Sequence, residues 1–360
     1  MAKKWFVRVV LLFSSIMLAI ATLVYILDPY FYFHAPYKNI SYTLGNYVYQ
    51  NDGIAKHFDY DTVIIGTSMT EHFSTEEVDQ LFDAKSIRLT FLGEGYRRIN
   101  DCLTEALECN DRLKLVIRGV DPIWFVSNET FLAYGTYDDY PTYLYDKTLI
   151  NSYKYIYNPD IIFTDCRNVL LRTIRKQPHD IFDSFDKNMS GGIELVKADY
   201  VRQPKNPYAV NSDETNDMLL NLQRNIELNV VSTIKDNPNT RFIIFFPPYS
   251  IVFWDELMQK GIDVVERRYL FEQYAIEELL KYDNVELYSF MDCYDITTDL
   301  NNYTDHLHYL PKYNSYMLKS IKNGEHRLTE ENYIEYLSNS KSFYENYDYD
   351  AVFSSWEANE

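Results

Sequence analysis

The sequence predicts an α/β protein built on a parallel sheet, with a hydrophobic N-terminal segment ahead of it. Three observations carry this reading. Short apolar runs at 60–66, 86–91, 113–120, 241–246 and 285–290 alternate with stretches of helical spacing, the order of a parallel sheet joined by right-handed crossovers. Residues 9–27, VVLLFSSIMLAIATLVYIL, form an uncharged run of nineteen, close to the roughly 20 residues that span a bilayer. Between about 124 and 212 the periodicity dissolves into Tyr, Asp, Asn and Pro, which reads as a long, partly helical insertion above the sheet.

Lys3, Lys4 and Arg8 precede the apolar run. The positive-inside rule therefore places residues 1–8 in the cytoplasm and everything after Asp28 outside. A cleaved signal peptide is the alternative, with Ala19-Ile20-Ala21 as its cleavage site. The apolar stretch continues through Leu27, however, and signal cores are shorter. A single-pass signal anchor over 9–27 is the reading that follows. The juxtamembrane segment, 28–58, opens on DPYFYFHAPYK, whose aromatics suit the outer membrane–water interface.

An α/β domain then covers 59–325. After the first strand, STEEVDQLF (74–82) reads as a short helix with Ser74 as N-cap and Glu77 three residues on. In GYRRINDCLTEALECN (95–110), Ile99, Leu103 and Leu107 share one helical face. Beyond the insertion, helical patterns cover Asp217 to Lys235 and 254–282, on either side of the strand RFIIFF. Helices follow the last strand at Lys312 to Lys322 and Thr329 to Leu337. Residues 326–360 read as a C-terminal helix with an acidic tail, solvated after Lys341.

Composition narrows the function. With 34 Lys and Arg against 53 Asp and Glu, the formal charge is −19, and no long Lys/Arg run interrupts it, which argues against nucleic acid, whose phosphates require a basic face. The 34 tyrosines supply amphipathic surfaces suited to sugars and proteins, or reflect compositional bias. Cys102 and Cys109 share a predicted helix at roughly 10 Å, beyond disulfide reach. Neither they nor Cys166 and Cys293 have the spacing of a zinc site. Asn39, Asn128, Asn188 and Asn302 fit glycosylation sequons, a pattern that arises readily by chance.

Two short blocks carry chemistry. The first strand runs into Gly66-Thr67-Ser68, so Ser68 stands at a strand's carboxyl end, where open α/β sheets place ligands. Gly-x-Ser alone also describes an ordinary turn. The second block is Asp305-His306-Leu307-His308. A spacing of three places carboxylate and imidazole on one side of a backbone turn, so that Asp305 orients His308 and His308 faces the serine; a capping Asp beside a surface histidine is the alternative. His306 and His308 have no accompanying cluster that would complete a metal site. His72 reads as a pocket wall. Pro247-Pro248-Tyr249-Ser250 ends a strand on the same rim as Ser68, either as a substrate-facing loop or as a rigid turn.

These blocks resemble the SGNH, or GDSL-type, hydrolase superfamily, and in particular its membrane-anchored, DltD-like branch associated with bacterial polysaccharide O-acetylation. The anchor, DPYFYFHAP, FDYDTVIIGTSMT and FFPPYS share in the likeness, which covers about 28–325 outside the insertion. The resemblance implies a three-layer α/β/α, flavodoxin-like sheet and a triad of Ser68, His308 and Asp305. It implies oxyanion N–H groups from Ser68 and Gly93, with Gly95 as the competing glycine. Where the family carries an asparagine donor, this chain has Asp121, and an ionised carboxylate only accepts hydrogen bonds. Asp121, Pro248, Tyr249 and His72 are then candidate pocket residues, and neither metal nor cofactor is implied.

Two functions are expected on this basis. One is an extracytoplasmic serine esterase or acyltransferase acting on acyl esters of a cell-surface glycan or polymer, with an integral membrane acyltransferase as a possible partner. The other is a non-catalytic accessory that binds glycan or scaffolds a membrane acylation complex.

Overall fold

Runs of β-branched and aromatic residues form the expected strands: β1 (Thr62–Gly66), β2 (Ser86–Thr90), β3 (Leu115–Gly119), β4 (Arg241–Phe246) and β5 (Val285–Ser289). In the computed structural model, which describes residues 2–132, 141–145, 148–205 and 212–357, these five pair in parallel in the order β2-β1-β3-β4-β5. A two-residue strand, β6 (Arg327–Leu328), adds antiparallel to β5. The sheet is therefore mixed rather than wholly parallel. All residues of β1 and β3, and all of β4 but Arg241, are buried. Because successive side chains point to opposite faces, both faces of the sheet are covered.

The chain divides into two compact units, one of 1–59 with 134–184 and one of 60–133 with 185–360. The predicted insertion is thus split: 185–205 belong with the sheet, and 141–145 and 148–184 with the N-terminal unit. Residues 133–140, 146–147 and 206–211, also within that predicted insertion, lie outside the described residues.

In the sheet-bearing unit, Ser74 caps the helix Thr75–Phe82 by accepting from Glu77 N–H at 3.2 Å, as predicted. Cys102 and Cys109 lie on one helix, Tyr96–Cys109, and none of the four cysteines is in a disulfide. The helical stretch expected over 254–282 comprises two helices, Ile251–Lys260 and Ile262–Leu279. Gly261 between them has φ of +134°, which an L side chain rarely adopts.

The C-terminal segment is packed rather than solvated. Helices Tyr333–Glu345 and Tyr349–Glu357 follow β6, and Tyr344 is fully buried, its ring stacked on Trp254 with centroids 3.9 Å apart. Arg202 ties the end of the chain by an ion pair to Asp350 at 2.7 Å and a cation–π contact with Phe353. Net negative charge was the cue for a loose tail, but its aromatics decide the outcome. Tyr344→Ala is expected to destabilise this unit by about 3–5 kcal/mol, read as a lower denaturant midpoint with an unchanged m-value.

The N-terminal unit begins with the helix Ala2–Leu27, 26 residues long and apolar enough to cross a membrane. It stops at Asp28, whose buried carboxylate accepts from the N–H groups of Tyr32, Phe33 and His34 and from the Tyr155 hydroxyl at 2.8–3.1 Å. This carboxylate folds DPYFYFH into a tight turn. Tyr30 and Phe31 are 6% and 1% exposed, buried within the unit rather than displayed as interfacial aromatics.

Candidate active site

The carboxyl ends of the strands lie level, with Gly66 opposite Thr90 and Gly119 opposite Phe245. The chain runs from β1 outward to β2 and then returns past β1 to β3, so the end of β1 is the point where strand order reverses. Open sheets leave a crevice for ligands there. Ser68 occupies that point, as the first residue of a 3-10 turn over Ser68–Thr70.

The glycines of this region answer to Thr70. A Cβ on Gly66 would meet the Thr70 methyl at 2.6 Å, and one on Gly119 would meet it at 2.8 Å. Thr70 is fully buried, and its hydroxyl donates to the Thr67 carbonyl at 2.8 Å. The Thr70 side chain thus fills a gap that only glycine leaves at the ends of β1 and β3, and it fixes the turn that carries Ser68.

Ser68, His308 and Asp305 form one hydrogen-bonded chain. Ser68 Oγ lies 2.7 Å from His308 Nε2, and His308 Nδ1 lies 2.7 Å from Asp305 Oδ2. The other oxygen of Asp305 accepts the N–H groups of Leu307 at 2.8 Å and His308 at 2.7 Å. The Asp-x-x-His spacing therefore works as a closed turn, in which one carboxylate shapes the backbone and orients the ring. With Nδ1–H donated to Asp305, Nε2 is left to accept the serine proton.

Electrostatics support this tautomer. Burial acts to raise the Asp305 pKa, but the hydrogen bond and charge of His308, with the two backbone N–H groups, bring it down to about 2. Burial acts to lower that of His308. The hydrogen bond and charge of Asp305 outweigh it, helped by Asp121 and Glu71, and leave His308 above the ordinary imidazole value.

Asp121 is placed differently from the expected pocket residue. It is 1% exposed, and both of its carboxylate oxygens are engaged: one accepts from the Thr67 hydroxyl at 2.5 Å, the other from the Tyr249 hydroxyl at 2.8 Å. Burial raises its pKa, while those two hydrogen bonds and the His308 charge oppose the rise. Thr67 in turn accepts from Met69 N–H at 3.3 Å as the N-cap of the serine turn. Asp121 thus braces the Ser68 turn from beneath.

Tyr249, 1% exposed, and the buried Pro248 are likewise scaffold rather than pocket wall. The Pro248 carbonyl accepts from Tyr303 at 3.0 Å, and Ser250 donates to the His306 carbonyl. Tyr309 donates to the Met69 carbonyl, tying the loop of His308 to the turn of Ser68. Of the two candidate reasons for PPYS, the rigid turn holds.

Gly93 sits in the turn after β2 with φ of +66°, bridged by a bond from Glu94 N–H to the Phe91 carbonyl at 3.2 Å. Its glycine is required by backbone conformation. Gly95 is instead the extended N-cap of helix Tyr96–Cys109, where a Cβ would meet Phe131 at 2.8 Å. His72 is half-buried, 5.1 Å from the Phe185 ring, and burial lowers its pKa; it lines a polar groove. His306 pairs with Asp199, so the two neighbouring histidines serve different partners. Thr67 is the supporting residue that motif reading passed over. Its signal was its place before Ser68, since threonine is a favoured N-cap.

No family model matches the chain, and neither does any curated protein. Among solved structures, a Streptococcus pneumonia protein provisionally described as a platelet activating factor aligns over 77% of this chain and 90% of its own, at 14% identity and a TM-score of 0.39. A likeness at that score defines neither a fold family nor an activity.

Proposed function

We propose that this protein is a membrane-anchored, SGNH-like serine esterase or acyltransferase acting on acyl esters of a cell-surface glycan or polymer. The observation that carries the reading is the unbroken chain from Ser68 Oγ through His308 to Asp305, at 2.7 Å in each link. The strand order β2-β1-β3-β4-β5, with the serine at its reversal point, supports a flavodoxin-like, SGNH-type domain. The helix Ala2–Leu27, preceded in its apolar part by Lys3, Lys4 and Arg8, supports an uncleaved anchor with a cytoplasmic N-terminus and an extracytoplasmic domain.

In this mechanism Ser68 Oγ attacks the ester carbonyl as its proton passes to His308 Nε2. The carbonyl oxygen becomes an oxyanion, received by the N–H groups of Ser68 and Gly93. The C–O bond to the carrier breaks, and the carrier oxygen takes the proton from His308. Water or a polymer hydroxyl then gives its proton to His308 and attacks the acyl-enzyme, restoring Ser68. The first acceptor completes hydrolysis and the second completes transfer.

A non-catalytic, glycan-binding or scaffolding role is the second reading. It is favoured by Asp121, an acceptor whose two oxygens are already engaged, standing where the resemblance expects an amide donor. A fluorophosphonate probe decides between the two. Stoichiometric labelling of the full-length protein, seen by intact mass and lost in Ser68→Ala, is expected for the enzyme. Folded wild-type protein that neither reacts with the probe nor hydrolyses p-nitrophenyl esters sinks that reading and leaves the accessory role.

A further inference from the structure

The turn that holds the general base also forms part of a cavity wall. His306 and Leu307, between Asp305 and His308, line a cavity of about 320 Å³. Its remaining lining is largely apolar, with Phe125 and Val126 from the segment after β3, and Phe253, Leu257 and Phe271 from the paired helices Ile251–Lys260 and Ile262–Leu279. Phe125 and Phe271 are buried, while Val126, 55% exposed, marks a mouth. The cations that reach the cavity already have partners: Lys260 pairs with Glu256 at 2.6 Å, Arg267 with Asp263 at 3.8 Å, and Arg268 with Glu272 at 2.8 Å. The walls therefore favour an uncharged, apolar occupant over an anion.

The far end of the same loop is different in character. Pro311 and Lys312 line a groove of about 360 Å³ whose other walls include His72, Glu76, Glu77 and Lys187. Such a groove suits a hydroxylated carrier. We propose that the apolar cavity receives the aliphatic chain of the acyl group, so that the substrate class is an ester of a medium-length fatty acid on a hydroxylated carrier. Volume argues against acetyl. The cavity of about 320 Å³ is about twice the roughly 150 Å³ of an apolar protein cavity that takes up benzene. One methyl group leaves most of it unfilled, whereas a chain of several methylenes fills it. This assignment rests on the esterase reading above.

The test uses the full-length protein in lipid nanodiscs, with p-nitrophenyl esters from acetate to decanoate and alkyl acetates of matching lengths. kcat/KM should rise about fourfold per added acyl methylene, the equivalent of burying one methylene, and then level off. Leu257→Trp, and Val126→Trp at the exposed mouth, should each lower the octanoate-to-acetate ratio of kcat/KM at least tenfold. A flat acyl profile, or an optimum at acetate, overturns the inference and leaves the esterase reading intact. Length dependence confined to the alkyl acetates assigns the chain to the alcohol and also overturns it. Independently of turnover, octan-1-ol, an uncharged chain, should bind Ser68→Ala in a calorimetric titration corrected for empty nanodiscs, and that binding should be lost when Leu257→Trp is added. Octanol binding that the tryptophan does not change rejects the cavity as its site, whereas loss of labelling by fluorophosphonate is the failure of the esterase reading alone.

Discussion

Replacing Ser68 with alanine is expected to lower kcat toward p-nitrophenyl esters by about 10⁴- to 10⁶-fold, with His308→Ala causing a loss of the same order. The two side chains act as one unit. A serine hydroxyl is a weak nucleophile at neutral pH, and only the imidazole nitrogen 2.7 Å away makes its proton transfer concurrent with attack. Without that nitrogen the alcohol is present but inert, and without the alcohol the base has nothing to activate. The double variant should therefore be no slower than the slower single one. Folding is not at stake, because the serine turn is held by Thr67, Thr70 and Asp121. Unchanged far-UV circular dichroism beside the lost turnover checks that separation. Single-variant losses that multiply in the double variant would contradict a coupled serine and base.

Asp305→Asn carries the second large effect, a loss of about 10³- to 10⁴-fold in kcat near neutral pH, together with a displaced pH profile. Asparagine keeps an oxygen for the N–H groups of Leu307 and His308 but presents an amide N–H₂ to Nδ1. The ring must then accept at Nδ1 and carry its proton on Nε2, the wrong tautomer for taking one from Ser68. The sign of the pH change follows from His308. The base works only when neutral, and in the wild type its pKa is held above the ordinary value of about 6.5 by Asp305, against the opposing pull of burial. Activity should rise with pH through a limb above that value. Removing the carboxylate charge leaves burial less opposed, so the limb of the variant should move to lower pH while its plateau falls. A limb that stays in place on substitution would mean that Asp305 does not set the charge of the base.

Much of the site was legible because local spacing encodes it. Ser68 follows an apolar strand, and the three-residue step from Asp305 to His308 is itself the turn that brings carboxylate and ring together. The capped helix at Ser74 was legible for the same reason. What escaped depended on contacts between distant segments. Nothing near Tyr249 in the sequence says that its hydroxyl ends on Asp121, so a buried brace read equally well as a pocket wall. Tyr344 finds Trp254 across ninety residues, whereas the charge pattern around it reads as a solvated tail. The antiparallel β6, two residues long, is too short to leave any periodicity.

The bond between nucleophile and base joins positions 240 residues apart in the chain. A growing polypeptide carries Ser68 through 240 further positions, β2 to β5 among them, before His308 is made. Every shorter intermediate displays Ser68 without His308 beside it. Closing so long a loop costs little more than closing one half its length, about 0.6 kcal/mol per doubling, but it cannot begin until His308 emerges. On the esterase reading, reactivity is thereby a late product of folding, and synthesis and any translocation proceed with a chemically silent serine.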